Sequence, residues 1–166
     1  GGTGALQDAH LELARLGTAA GYILVAPTGG GFPQSDDALI SIVRQFAARF
    51  QVDPTRIHLT GFSRGGFAAW RLVCEHADLF ASAAPAAAGV ARPGQQSCFS
   101  EGALPLRRVP IIQLIGLEDR NVPPVTQTSM RDLVIERWGL SGPELLSGDA
   151  DYVHRRWTGQ DGAVFE

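Results

Sequence analysis

The chain contains no lysine: all 14 of its basic residues are arginine. That absence removes whole classes of chemistry. A P-loop nucleotidase needs a Lys against its phosphates, a protein kinase needs its strand Lys, and pyridoxal enzymes and Schiff-base aldolases need an ε-amine. Cysteine is scarce at two residues, too few for a Cys-rich zinc site or a disulfide-dense scaffold, and the four histidines include no H-E-x-x-H pair. No metal or organic cofactor is implied. Neither sign of charge dominates: the net charge is −3, with no basic surplus to hold nucleic acid or an acidic membrane surface. No apolar run approaches the ~20 residues of a bilayer-spanning helix. Gly1-Gly2-Thr3-Gly4 lacks the Met, basic start and apolar segment of a signal peptide, and reads as cut out of something longer.

What is present suits one globular domain over 1–166. The chain has 166 residues, 45% hydrophobic and 19% charged, enough apolar material for one core and too little charge for disorder. Aromatics are few and Ala and Gly abundant, so close packing of small side chains is expected. Leu6, Leu13 and Leu16 fall at helical spacing. Tyr22 to Ala26 is a short apolar run ended by Pro27 and Gly29-Gly30-Gly31, the pattern of a buried strand before a loop. Leu39, Ile42, Val43, Phe46 and Phe50 mark an amphipathic helix. After the Asp53-Pro54 turn, Ile57 to Thr60 reads as a strand and Arg64 to Glu75 as a helix. Leu79 to Ala84 is a weak strand, Ile111 to Ile115 a stronger one. Pro123-Pro124 opens a helix with Val125, Met130, Leu133 and Val134 inward. Tyr152 to Trp157 alternates as a strand, and Ala163 to Phe165 begins another. Alternating strand and helix predicts an α/β fold with a mostly parallel sheet and helices on both faces.

Between a predicted strand and a predicted helix stands Gly61-Phe62-Ser63-Arg64-Gly65-Gly66. G-x-S-x-G in that context is a nucleophile elbow, a turn so tight that the positions two before and two after the Ser can hardly carry a Cβ. The Ser Oγ then projects above the sheet edge, and the N–H of Arg64 lies at a helix start, suited to an oxyanion. The plainer alternative is a Gly-rich turn with an incidental Ser. In this chain order the acid follows the Ser, after a late strand. Asp119, in Gly116-Leu117-Glu118-Asp119, meets both conditions, with Glu118 as competitor and a turn-forming Asp as the plainer reading. A Ser hydroxyl also needs a general base. His10 precedes the Ser, His58 lies within the strand before it as a core residue, and His76 ends the elbow helix facing solvent. Only His154 follows Asp119, but inside an alternating strand, whereas a catalytic His belongs in a loop.

On these residues the chain resembles the polyhydroxybutyrate depolymerase and feruloyl esterase family of secreted α/β-hydrolases. Val52-Asp53-Pro54-Thr55-Arg56-Ile57 leading into the elbow resembles that family's approach to its nucleophile. Leu72 to His76 with Ala83-Ala84-Pro85, Val109 to Asp119, and Trp157 to Gly162 resemble the segments that follow. The elbow and acid segments are common to many α/β-hydrolases; the flanking segments point to this branch.

The resemblance implies a serine esterase in which Ser63 is the nucleophile, Asp119 the acid and the Arg64 N–H an oxyanion donor. It implies an ester substrate, polymeric or from the plant wall, an extracellular location, and no nucleic-acid or membrane partner. Gly1 to Gly4 resembles the end of the family's oxyanion loop, and the family's catalytic His would fall beyond Glu166. The first strands and the last His segment would then lie outside the chain; a complete enzyme using His154, or a complete but inactive fold, are the alternatives. Ile115 and Gln160 depart from the family's usual His and Cys. Cys74 and Cys98 resemble positions that are both Cys in relatives, and could pair and pin the loop 92–102 to the elbow helix; the alternative is two free thiols. A small-ester carboxylesterase, a peptidase and a non-catalytic hydrolase-fold protein remain the other readings of the whole.

Overall fold

The computed structural model describes residues 3–28, 36–90, 105 and 107–166. It comprises two compact units, 1–50 and 51–166, and mixes helices with a small sheet.

The first unit is helical. Helix α1 (Gly4–Leu11) starts where Thr3 Oγ accepts the Leu6 N–H at 3.1 Å, an N-cap that satisfies one of the orphan donors of a helix start. Glu12 then adopts a left-handed backbone (φ 50°) and splits the expected single helix into α1 and α2 (Leu13–Ala19). Residues 22–26 belong to no strand, and Tyr22, Ile23, Leu24 and Val25 are exposed. A strand needs a neighbouring strand along its length to take its N–H and C=O groups; here Tyr22 N–H donates instead to the Gly17 carbonyl of the preceding helix at 2.8 Å, and the segment forms no strand pairing among the described residues. Helix α3 (Asp36–Arg49) follows the predicted periodicity. Its stripe is covered only in part: Ile40 is buried, Leu39, Ile42 and Val43 are half-buried, and Phe46 and Phe50 stack on each other in the open at 5.8 Å between centroids.

The second unit is built on one sheet. Strand β1 (His58–Phe62) runs parallel to β2 (Ser82–Ala86), with Phe62 opposite Ala86. The segment 111–114 joins β2 through parallel bridges Ala83–Ile111 and Ala86–Leu114, and Ile111 in turn bridges Phe165 of β5 (Val164–Phe165), also parallel. Strand β4 (Val153–Thr158) is antiparallel to β5, and β3 (Ser141–Gly148) antiparallel to β4. The order is therefore β1, β2, 111–114, β5, β4, β3. The parallel half matches the sequence reading, and β4 falls on the predicted strand 152–157; β3, its hairpin partner, was not foreseen. Ser141-Gly142-Pro143 gives no alternating apolar signal, and Pro is tolerated there because β3 is an edge strand.

Helices α4 (Arg64–Glu75) and α5 (Pro124–Trp138) pack on one face of this sheet. Trp70, Val73, Met130, Val134 and Trp138 from the helices meet Ala83, Ile111 and Phe165 from the strands in a single buried cluster. Every residue of that strand row lies opposite the next, so the core is a register line across the sheet. The expectation of helices on both faces does not hold within this unit: among the described residues, Phe62, Ile112 and Leu114 on the opposite face are exposed. Arg107 closes the helix side, donating from Nε to the Ala77 carbonyl at 3.0 Å and from its other nitrogen to the Phe80 carbonyl. Among the described residues no helix is long and apolar enough to cross a membrane.

Candidate active site

Four parallel chain segments end at the same edge of the sheet, and the site residues lie there. β1 ends at Phe62 and α4 begins at Arg64, so Ser63 alone makes the reversal. Its backbone sits at φ 53°, ψ −113°, far from the regions open to residues with a Cβ, at a cost of about 1–3 kcal/mol. Two hydrogen bonds hold it: Ser63 N–H donates to the Ala86 carbonyl at 2.9 Å, and the Ser63 carbonyl accepts from Phe67 N–H at 3.0 Å. The first bond continues the β1–β2 ladder past the strand end; the second opens the helix. Ser63 is half-buried and Arg64 exposed. As the first residue of α4, Arg64 contributes its N–H to the helix start, where partial positive charge accumulates.

The glycines of the motif divide the work differently from the sequence expectation. A Cβ on Gly61 would collide with the Gly65 backbone, as expected for the position two before the Ser. A Cβ on Gly65, two after it, would meet nothing within 4 Å. The crowded glycine on the helix side is Gly66, where a Cβ would come within 2.5 Å of the Ala86 carbonyl oxygen and 2.7 Å of the Ala88 Cβ. The helix start is thus pressed against the end of β2, which requires the first turn of α4 to be bare at Gly66 and leaves Gly65 with room.

Two strand positions along, the chain leaves Leu114 and enters the acid loop. Asp119 Oδ1 accepts the N–H groups of Asn121 (2.8 Å) and Val122 (2.9 Å), and Oδ2 accepts from the Gln127 side chain at 3.2 Å. The Val122 N–H, then the Asn121 N–H and the Gln127 amide, outweigh the desolvation that opposes them and hold the carboxyl below its ordinary pKa. It is therefore an anion at neutral pH with both oxygens oriented. The competitor Glu118 is exposed.

The three histidines whose side chains are described lie elsewhere. His58, expected in the core, is exposed and shares a 2.8 Å hydrogen bond with Ser82 Oγ at the opposite end of β1 from Ser63. His76, expected to face solvent, is half-buried at the far end of α4 from Ser63. His154 is half-buried near the start of β4, its Nε2 2.8 Å from Glu166 Oε2, while Arg156 Nε donates to Glu166 Oε1 at 2.7 Å. Strand β4 is four places from β1 in the sheet order, roughly 19 Å at the usual ~4.8 Å per strand. No His side chain spans that gap. His154 is therefore not the base for Ser63, which corrects the only alternative within the chain that its order allowed. The side chain of His10 lies outside the described residues.

Cys74 is buried on α4; Cys98 lies outside the described residues, as do Gly1 and Gly2 of the segment that resembles an oxyanion loop. Two residues that the sequence reading passed over hold the acid loop together. Gln127 and Gln113 are both buried. Gln113 donates to the carbonyls of Ala88 and Gln127, each at 3.0 Å. Both left a sequence signal: Gln113 interrupts the apolar run 111–115, and Gln127 stands in phase with the inward residues Met130, Val134 and Trp138. A polar residue in a buried stripe needs partners there.

No protein-family model matches the chain, and no curated relative is found for it. A solved structure titled as that of a thermostable esterase is similar over 63% of this chain and 25% of the esterase, at 24% identity and a TM-score of 0.48. The chain thus spans about a quarter of that esterase's length, and a likeness of this degree leaves the site to be read from its own geometry.

Proposed function

We propose that this chain carries the nucleophile and the acid of a serine hydrolase of α/β-hydrolase type that cleaves carboxylic esters. The observation that carries the reading is the Ser63 backbone, φ 53°, ψ −113°, at the junction of a parallel strand and a helix. Strain of this kind persists only where surrounding structure enforces it, and it gathers at functional sites. Here it falls at the end of the sheet where the loop bearing an ionised Asp119 also begins.

In this reading Ser63 Oγ attacks the ester carbonyl carbon and gives its proton to a general base. The carbonyl π electrons move to oxygen, and the resulting oxyanion is held by the Arg64 N–H at the helix start. Collapse expels the alcohol, which takes the proton from the base, and water then releases the acyl group from Ser63 by the same steps. Asp119 orients the base and stabilises its protonated form. The base is a requirement of the reading: a group delivered to this edge by a segment other than those bearing His58, His76 and His154.

The finer assignment is a secreted esterase acting on polyhydroxyalkanoate or feruloyl-type esters, which rests on the sequence resemblance. It is tested by hydrolysis of a panel holding short nitrophenyl esters, a polyhydroxybutyrate film and methyl ferulate. The wild-type protein is expected to release product from the film or the ferulate, and Ser63→Ala to lose at least a thousandfold of that rate. Turnover of the short esters alone would move the assignment to a small-ester carboxylesterase. Equal rates in wild type and Ser63→Ala would remove Ser63 from the chemistry.

A further inference from the structure

Gln127 is the most completely enclosed polar side chain described, with no accessible surface. All of its polar atoms are engaged. Its Nε2 donates to Asp119 Oδ2 at 3.2 Å and to the Val122 carbonyl at 2.7 Å, and its Oε1 accepts the Gly116 N–H at 3.2 Å. One amide therefore ties the first residue of the loop 116–122, the last residue of that loop, and the carboxylate between them.

We propose that Gln127 is a positioning residue for Asp119, holding its carboxylate at the angle from which it orients the base. This rests on the reading of Asp119 as the acid of a hydrolase site. Gln127 occupies an inward position of α5 between core residues, where Leu or Met would bury as well and leave no polar atoms to satisfy. A buried amide is kept there at the cost of desolvation, and that cost is met only because each atom finds a partner.

The partners do not include the sheet or the helix ladder. They are the acid and its loop. Gln127 is itself held rigidly: its carbonyl accepts from Gln113 Nε2 at 3.0 Å, and the preceding Thr126 carbonyl accepts from Val90 N–H at 3.0 Å. A Cβ on Gly89 would come within 2.7 Å of the Gln127 Cα, so the start of α5 is wedged against the segment after β2. The strand that lies beside Ser63 thus fixes the helix that fixes the acid.

The electrostatics around Asp119 are simple enough to test. Glu118 and Arg120 flank it on its own loop and are exposed, while on α5 Arg131 and Asp132 are paired with each other. Among the described residues, hydrogen bonds and not a neighbouring charge are what stabilise the Asp119 anion.

The experiment follows the Asp119 carboxyl by ¹³C NMR through an acid titration of the full-length protein, in wild type, Gln127→Met and Gln127→Glu. Both variants remove the donor to Oδ2; Gln127→Glu keeps an acceptor for the Gly116 N–H. The midpoint of Asp119 is expected to rise in both, further in Gln127→Glu because a second carboxylate then stands beside the first. Phosphonylation of Ser63 by a fluorophosphonate, with loss of fluoride, is expected to slow about tenfold at neutral pH, with its acid limb moving in step with the titration. An Asp119 midpoint unchanged in both variants would overturn the proposal, as would loss of folding in both, which would make Gln127 a residue of the core alone. If only Gln127→Met fails to fold, Gln127→Glu decides. A wild-type protein that forms no Ser63 adduct would overturn the hydrolase reading instead, and the titration would still decide whether Gln127 holds Asp119.

Discussion

At the scale of single residues, the elbow divides its glycines and its serine into positions under strain and positions without it, and substitutions separate them. A Cβ at residue 66 has to displace the Ala86 carbonyl or the Ala88 methyl, so Gly66→Ala is expected to cost about 1–3 kcal/mol of stability. Gly65→Ala has open space in a helical first turn, and is expected to gain up to about 1 kcal/mol from helix propensity. Urea denaturation of the two variants should therefore move in opposite directions; movement in the same direction would contradict the assigned crowding. Ser63 keeps its Cβ at positive φ, and Ser63→Gly should be more stable than Ser63→Ala by about 1 kcal/mol. Neither variant would form an adduct with a fluorophosphonate.

Glu166 supplies a pH prediction at the same scale. Burial alone would raise its pKa, but the hydrogen bonds from Arg156 and His154, with their charges, outweigh it and hold the carboxyl below its ordinary value. A carboxyl lowered in the folded state contributes stability above its unfolded pKa and loses it as pH falls through the folded value. Stability followed by urea denaturation from neutral pH down through the carboxylate range should decline less steeply in Glu166→Gln than in wild type. An identical decline would mean that the Arg156–Glu166–His154 cluster adds nothing.

At the scale of elements, the helices were the most legible part of the sequence. Helix α4 runs over the predicted Arg64–Glu75 because the elbow fixes its start. Helix α5 begins at the predicted Pro124, where Pro is preorganised for the first turn. The strands were less legible. β2 begins three residues later than its apolar signal and ends two later, since Ser82–Ala86 is Ala-rich and owes its place to pairing with β1 and 111–114. Residues 22–26 have the composition of a buried strand yet stay exposed, because pairing is a property of neighbours and not of composition. Gln127 was readable as a misfit in a buried stripe, but which loop it serves depended on tertiary placement.

The link proposed between Cys74 and Cys98 is tested at this scale too. Denatured, unreduced protein should resist alkylation at both residues, and reduction should lower the melting temperature, consistent with a cross-link worth about 3 kcal/mol. Ready alkylation without reduction would leave two free thiols.

At the scale of the molecule, the sheet order explains why the positions of Ser63 and Asp119 were legible in the sequence and that of His154 was not. Chain order and motif spacing were enough to bring Ser63 and the Asp119 loop to the same end of the sheet, because successive parallel strands deliver their following loops there. His154 satisfied the same chain order, but the antiparallel pairing of β4 with β5 places it four strands from β1, and its side chain meets Glu166. Order along the chain is a weaker constraint than order across the sheet. The central claim is that Ser63 is a nucleophile activated by the fold and not an incidental serine in a tight turn. Its most direct test is exposure of the full-length native protein to a fluorophosphonate, followed by mapping of the modified residue. A single adduct on Ser63, lost on denaturation before labelling and much reduced in Asp119→Asn, is the predicted result. A folded full-length protein that takes up no label at Ser63 would contradict it.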